Sequence, residues 1–215
     1  MIEMKVLKSH QEWLNSRKRI GGSDAAAIVG MTPWNDNQRL WRIKTGREIQ
    51  EDISEKPYVK YGTEAERYLR ALFALDYPQY QVDYVENNIW FNDKYPFAHA
   101  SLDGWLTDSD GRKGIWECKT TEIQSSAQRQ KWDDGIPDYY YCQILHYLMV
   151  TEFDFAVLKA QMKYQRGEDC TTVCKTYHIE RSEVLDDIEY LMNKEKEFWA
   201  MVESDTEPNL LLPAI

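Results

Sequence analysis

Ser101-Leu102-Asp103-Gly104 is followed, across a short polar stretch, by Trp116-Glu117-Cys118-Lys119. The linker Thr107–Gly114 carries Asp110-Gly111, a hairpin turn signal. Folding about that turn sets Asp103 alongside Glu117 and Cys118. Residues two apart in a strand share a face, so Glu117 and Lys119 project together while Cys118 points away. Two carboxylates and an ammonium meeting at one spot suit a hard divalent cation beside a phosphate. Mg²⁺ takes oxygen ligands, keeps several waters, and is held by one or two carboxylates plus substrate phosphate. The ion lowers the pKa of a bound water, and a neighbouring lysine can orient that water or neutralise developing charge. Glu-x-Lys alone is also a common surface pair; Asp103 across the turn is what favours a site.

The elements that position these residues follow from periodicity and caps. Gln11–Ser16 reads as a short helix. Ala25–Val29 reads as a helix opened by a Ser23 or Asp24 cap and closed by Gly30, and Asn37–Gly46 as one stopped by its glycine. Thr63 opens a helix with Ala65, Leu69, Leu72 and Phe73 inward. Strands are predicted at Gln81–Phe91, Ala98–Leu106 and Gly114–Thr121. Asp138 caps a helix over Tyr139–Val150, with Tyr140, Gln143 and Tyr147 on one face. Val157–Gln165 and Thr171–Ile179 form a second hairpin about Arg166–Asp169. Val184 to Trp199 gives a final amphipathic helix. The expected fold class is α/β (α+β), a central mixed sheet of about five strands flanked by helices. Nothing in the 215 residues reads as a linker or repeat, so residues 1–215 are expected to form a single domain.

Composition narrows the class. No apolar run approaches the ~18 residues of a membrane span, and Met1–Lys8 has no signal-peptide core. Cys118, Cys142, Cys170 and Cys174 are too scattered for a disulfide framework, and Cys170-x3-Cys174 lacks a second pair for a metal site. A reducing cytoplasm fits. The net charge of −10 weighs against non-specific duplex binding, yet binding follows local charge. Glu48–Glu55 and Glu180–Glu207 can face away from a ligand, leaving positive clusters at Arg17-Lys18-Arg19, Arg67/Arg70, Arg112-Lys113 and Arg129/Lys131.

Several segments share an order and spacing more specific than any one of them. They are Arg19–Ala27 (RIGGSDAAA), Leu40-Trp41 with Lys44-Thr45-Gly46, Gly62-Thr63-Glu64-x-Glu66, Ala100–Gly104, Glu117–Thr121, and Gly135–Tyr141 with Gln143. On these the chain, from about Arg17 to Thr151, resembles the lambda-exonuclease and YqaJ-type viral recombinase family of the PD-(D/E)xK nuclease superfamily. Leu102 stands where the superfamily name has proline, and it contributes no ligand. The resemblance implies a restriction-endonuclease-like core and Mg²⁺-dependent digestion of one strand of duplex DNA from its 5′ end, with Mn²⁺ a substitute. It also implies a homotrimeric ring, a single-strand annealing protein as partner in recombination, and phage or prophage origin in a bacterial cytoplasm. Asp103, Glu117, Glu66 and the carbonyl of Cys118 match the metal ligands, Lys119 the catalytic lysine, and Gln143 with Tyr140 the helix beyond the core. Ser23 and Ser101 match positions near the terminal phosphate, with Arg17 or Arg19 as the cation.

Plainer roles compete for several of these residues. Thr63-x-x-Glu66 is also a capping box, with Glu64 about 200° around the helix from Glu66. Gly21-Gly22-Ser23 can cradle a phosphate at a helix start or form an ordinary cap. Tyr139–Tyr141 can be core and Gln143 a buried amide, while His99 and His146, without ligand spacing, read as structural. An endonuclease on the same core, or a non-catalytic module binding DNA ends, are the alternatives to an exonuclease. An iron–sulfur variant would need four grouped cysteines.

Overall fold

The computed structural model describes residues 1–166 and 169–212. In chain order its elements are β1 (Ile2–Val6), α1 (His10–Ser16), α2 (Gly22–Ile28), α3 (Asn37–Lys44), α4 (Pro57–Asp76), β2 (Gln81–Asp83) and β3 (Asn88–Asn92). There follow β4 (Gly104–Thr107), β5 (Lys113–Glu122), α5 (Ser126–Asp134), α6 (Asp138–Thr151), β6 (Phe155–Arg166), β7 (Asp169–Glu180) and α7 (Leu185–Glu203). The central sheet has the order β2-β4-β5-β6-β7 and is mixed: β5 and β6 run parallel, joined through α5 and α6, and the other neighbours are antiparallel. β1 and β3 form a separate antiparallel pair.

β5 divides the protein into two layers by alternation. Ile115 belongs to the large cluster built with α2, α6 and α7, including Leu145, Leu148, Ile188 and Phe198. Trp116 and Cys118 turn the other way, onto Ala65, Leu69 and Phe73 of α4. Full burial of a side chain such as Phe73 contributes about 1.5–3 kcal/mol. The mixed sheet of five strands between helices is therefore the expected architecture.

Several local expectations are corrected. Gln81–Phe91 is not one strand. The chain turns at Asn87, which adopts a left-handed φ of 57°, a conformation asparagine tolerates, so β2 and β3 join different sheets. Ala98–Leu106 is a strand only from Gly104. Before it, Ala98 and Ala100 make isolated bridges, and the Asn88 side-chain amide pairs with both the N–H and the C=O of Leu102 at 3.0 and 2.9 Å in place of a neighbouring strand.

α4 starts at Pro57, six residues before the expected Thr63, with proline in the first turn, where it removes no helical hydrogen bond. Thr63 is thus mid-helix, its hydroxyl donating to the Val59 carbonyl at 3.1 Å, and no capping box with Glu66 exists. Leu72 is exposed, unlike Ala65, Leu69 and Phe73. Gly21, not Ser23 or Asp24, caps α2; Asp24 reaches back to accept from the Gly21 amide at 2.9 Å. Pro137 precedes α6, making Asp138 its first helical residue. α3 ends at Lys44, and Gly46 lies two residues beyond in a left-handed turn.

β1 and α5 were not anticipated; Ser125 caps α5 by accepting from the Gln128 amide. β6 and β7 pair as the second hairpin, but Gly167 and Glu168 of its expected turn lie outside the described residues.

Candidate active site

The β4–β5 register ends at Gly104 opposite Trp116, so Asp103 and Glu117 are the next residues on either side of the opening pair. Asp103 Oδ2 accepts a hydrogen bond from the Cys118 amide at 3.1 Å. A strand residue's N–H and C=O point to the same side, so the Cys118 carbonyl also faces the Asp103 side, past the end of β4. The Cys118 thiol faces the α4 core, where burial pushes it to stay protonated.

Glu117 and Lys119 share the opposite face, as alternation requires. Lys119 Nζ donates to Glu117 Oε1 at 2.7 Å, and Gln143 Nε2 of α6 donates to the same oxygen at 3.1 Å. Gln143 is itself held to the Tyr147 hydroxyl at 2.8 Å. Lys119 also sits over the Tyr140 ring, 5.0 Å from its centre, so Tyr140, Gln143 and Tyr147 line one face of α6 above the lysine. Gly22 of α2 makes this packing possible: a Cβ there would lie 2.5 Å from the Tyr147 ring.

From the α4 side comes Glu66, paired with Arg70 at 2.9 Å one turn along. The same guanidinium nitrogen donates to the Asp103 carbonyl, and Arg70 stacks on Tyr84 with its guanidinium carbon 3.7 Å from the ring centre. Glu64 points away, exposed and paired with Arg67.

Glu117 is 1% exposed, and its Oε2 is buried without a hydrogen-bond partner. Burial, then the charge of Asp103, pushes its pKa up to about 8. The same two causes raise Glu66 to about 7 against the pull of Arg70. Burial works against the Lys119 charge, but Glu117 and Asp103 hold its ammonium more firmly protonated than usual. Among the described residues no group of three His, Cys, Asp or Glu side chains is placed to hold a metal ion by itself. The donors that converge are all oxygens: Asp103, Glu117, Glu66 and the Cys118 carbonyl. That set suits a hard cation completing its shell with water and phosphate.

Beside these acids opens a cleft of about 340 Å³, lined among others by Trp13, Arg17, Gly22, Glu66, His99 and Ser101. Arg17 stacks on Trp13, its guanidinium carbon 4.2 Å from the ring centre, and its buried Nε has no partner. The Trp13 indole N–H donates to Ser101 Oγ at 3.2 Å. His99 is buried, and burial followed by the nearby Arg17 charge lowers its pKa to about 3, keeping the ring neutral.

Asp103, Glu117, Lys119, Glu66, Gln143, Tyr140 and Cys118 thus come together, with Arg17 and Ser101 in the adjoining cleft. Ser23 and Arg19 do not line that cleft: Ser23 is exposed on α2, and Arg19 stacks on Phe91 at 4.8 Å. Arg70, Tyr84, Trp13 and His99 were missed as site residues. For Arg70 the four-residue spacing from Glu66 was a visible signal; the other three are brought in by tertiary packing alone. Elsewhere the expected cations are largely neutralised, Arg67 by Glu64, Arg112 by Asp108 and Glu180, and Arg129 by Asp133.

Residues 12–154 match the family model of the YqaJ-like viral recombinase domain. The protein YqaJ of Bacillus subtilis (strain 168) is 33% identical over 201 residues, covering 89% of this chain; the chain spans 56% of that relative's length. The alkaline exonuclease LHK-Exo of Laribacter hongkongensis superposes with a TM-score of 0.65 at 18% identity, over 91% of this chain and 93% of that one. Its complex with dAMP gives 0.64 at the same identity and coverage. These two structures show a shared fold. With the family model spanning both β4–β5 and the α6 face that closes on it, the chain belongs to the YqaJ-like viral recombinase domain family.

Proposed function

We propose that this chain is a metal-dependent deoxyribonuclease that degrades one strand of duplex DNA from its 5′ end, leaving single-stranded DNA for phage-type recombination. The carrying observation is the convergence of Asp103, Glu117, Glu66 and Lys119 where β4 stops pairing with β5. Three features support a hard cation there, Mg²⁺ with Mn²⁺ as substitute. The donors are oxygens, Glu117 Oε2 is buried and unpartnered, and Glu117 and Glu66 are each disfavoured as anions by burial and by Asp103. When bound, such an ion supplies positive charge to the phosphoryl oxygens and a more acidic water.

The chain's own residues do the rest. Lys119 places a fixed ammonium beside Glu117, where it orients the attacking water and offsets charge developing on the phosphate. Gln143 and Arg70 hold Glu117 and Glu66 in place. Arg17 and Ser101 offer donors to a terminal phosphate in the cleft, and a duplex end seated there has its scissile bond fixed by position. Family membership supports a homotrimeric ring and a single-strand annealing partner as part of the same proposal. A ring that encloses DNA reduces the need for a basic surface, which suits a net charge of −10. Among the described residues no helix is long and apolar enough to cross a membrane, and the reading places the protein in the cytoplasm of a bacterial host.

Linear duplex labelled on either the 5′ or the 3′ end, incubated in Mg²⁺, tests the reading. Early release of the 5′ label with the 3′ label retained is expected. Cleavage of a closed circle would make the protein an endonuclease, and no cleavage of either substrate would leave a binding module.

A further inference from the structure

The nuclease reading leaves unused a polar surface on the α4 side of the catalytic centre. It is built where α4 crosses the carboxyl ends of β5 and β6. Thr120 follows Lys119 on β5, faces α4, and lies beside Gly62, whose missing Cβ would sit 3.2 Å from the Thr120 hydroxyl. Gln161 of β6 is the register partner of Thr120. Its Oε1 accepts from the Tyr61 hydroxyl of α4 at 2.6 Å. Lys163, two residues on and therefore on the same face, lays its ammonium over the Tyr61 ring, 3.0 Å from the centre.

Two properties set this ladder apart. Lys163 has no carboxylate within ion-pair distance among the described residues, while Lys60, Arg67 and Arg129 nearby are each paired with one. Glu122 is the register partner of Lys163 but forms no ion pair with it, so in a chain of net charge −10 the ammonium held on the Tyr61 ring is available to a phosphate. Tyr61 is also 38% exposed, so it presents a surface on which a sugar or base can rest. The ladder adjoins the site through α4: Thr63 and Glu66, two and five residues along the helix from Tyr61, line the cleft beside the acids.

We infer that Tyr61, Gln161 and Lys163 form a backbone-contact site for the DNA strand that passes the catalytic centre, holding it along the α4 side of the site. This rests on the nuclease reading, and the test separates the two. Binding of a linear duplex is measured by fluorescence anisotropy in chelator, which stops metal-dependent cleavage, across a series of salt concentrations. Thermal unfolding verifies that each variant is folded.

Lys163→Ala is expected to weaken binding and to reduce the slope of log affinity against log salt by about one, the loss of one phosphate contact. Tyr61→Ala, which frees the lysine from its ring, is expected to weaken binding as well, and Tyr61→Phe to preserve it. Lys194→Ala on α7 should change nothing. Unaltered affinity and slope in Lys163→Ala would overturn this inference alone. Failure of the unaltered chain to bind duplex would overturn the nuclease reading and this inference with it.

Discussion

Asp103 Oδ2 and the amide of Cys118, 3.1 Å apart, bridge the last open step of the β4–β5 hairpin. Where the carbonyl of a further strand residue would have accepted from that amide, a carboxylate takes the hydrogen bond instead. That substitution pins Asp103 to β5 one residue from Glu117 and turns the frayed end of a hairpin into a carboxylate cluster. The cluster is electrostatically unfavourable on its own, since burial and mutual repulsion push Glu117 and Glu66 toward protonation.

A divalent cation is therefore expected to stabilise the fold. Mg²⁺ at a hundred times its Kd should add about 2.7 kcal/mol by mass action, read as a rise in Tm. Asp103→Asn should lose most of that rise while remaining folded. An equal Mg²⁺-induced rise in the variant would place the ion elsewhere.

Arg70 acts through Glu66 and the Asp103 carbonyl, and does not touch the reacting atoms. Arg70→Ala is expected to lower cleavage roughly ten- to a hundredfold, the usual effect of removing a residue that orients a ligand, with partial recovery in Arg70→Lys. Cleavage at the normal rate in Arg70→Ala would show that Glu66 needs no such anchor.

Gly22 abuts the ring that holds Gln143. Gly22→Ala places a Cβ 2.5 Å from Tyr147 Cε1 and 3.0 Å from Gln143 Cγ, inside a packed layer. Overpacking of this kind costs about 1–3 kcal/mol, so a lower Tm is expected together with a loss of activity from the shifted Gln143–Glu117 contact. A normal Tm and rate would mean that α2 and α6 separate without consequence for the site.

How much of this was legible in the sequence depends on the range of the forces involved. Asp103, Glu117 and Lys119 were readable because a hairpin turn and a two-residue period are local rules. Gly111, at φ 80°, closes that turn as the Asp-Gly pair implied. The break between β2 and β3 was not readable, since Asn88 satisfies Leu102 fourteen residues away with its side chain. Thr63-x-x-Glu66 misled because a capping box looks the same mid-helix as at a helix start; Pro57 was the stronger start signal. Arg17 and Arg19 were indistinguishable in the sequence. Packing alone sends one onto Trp13 in the cleft and the other onto Phe91 outside it.

His146 and Glu195, both fully buried, join α6 to α7 with Nδ1 and Oε1 2.8 Å apart, and His146 Nε2 meets the His99 carbonyl at 2.8 Å. Both ring nitrogens face acceptors, which favours the doubly protonated ring. Burial alone would lower its pKa, but Glu195 and the His99 carbonyl outweigh it, and the folded value lies above 6.5. A raised folded pKa contributes stability that is present in full below the unfolded value and lost as pH rises through the folded one. His146→Gln should therefore cost more at pH 6 than at pH 8 in denaturant unfolding. Glu195→Ala, which strands a buried cation, should cost about 3–5 kcal/mol. A His146→Gln penalty that grows with pH would contradict the assignment.

The most direct test of the central claim is digestion of linear duplex DNA in Mg²⁺, with and without a 5′-phosphate, by the unaltered chain and by Lys119→Ala. Progressive loss of one strand, faster from phosphorylated ends and reduced at least a hundredfold in the variant, is the predicted result. Equal digestion by Lys119→Ala, or none by the unaltered chain, would contradict the assignment of Asp103, Glu117 and Lys119 as the catalytic centre.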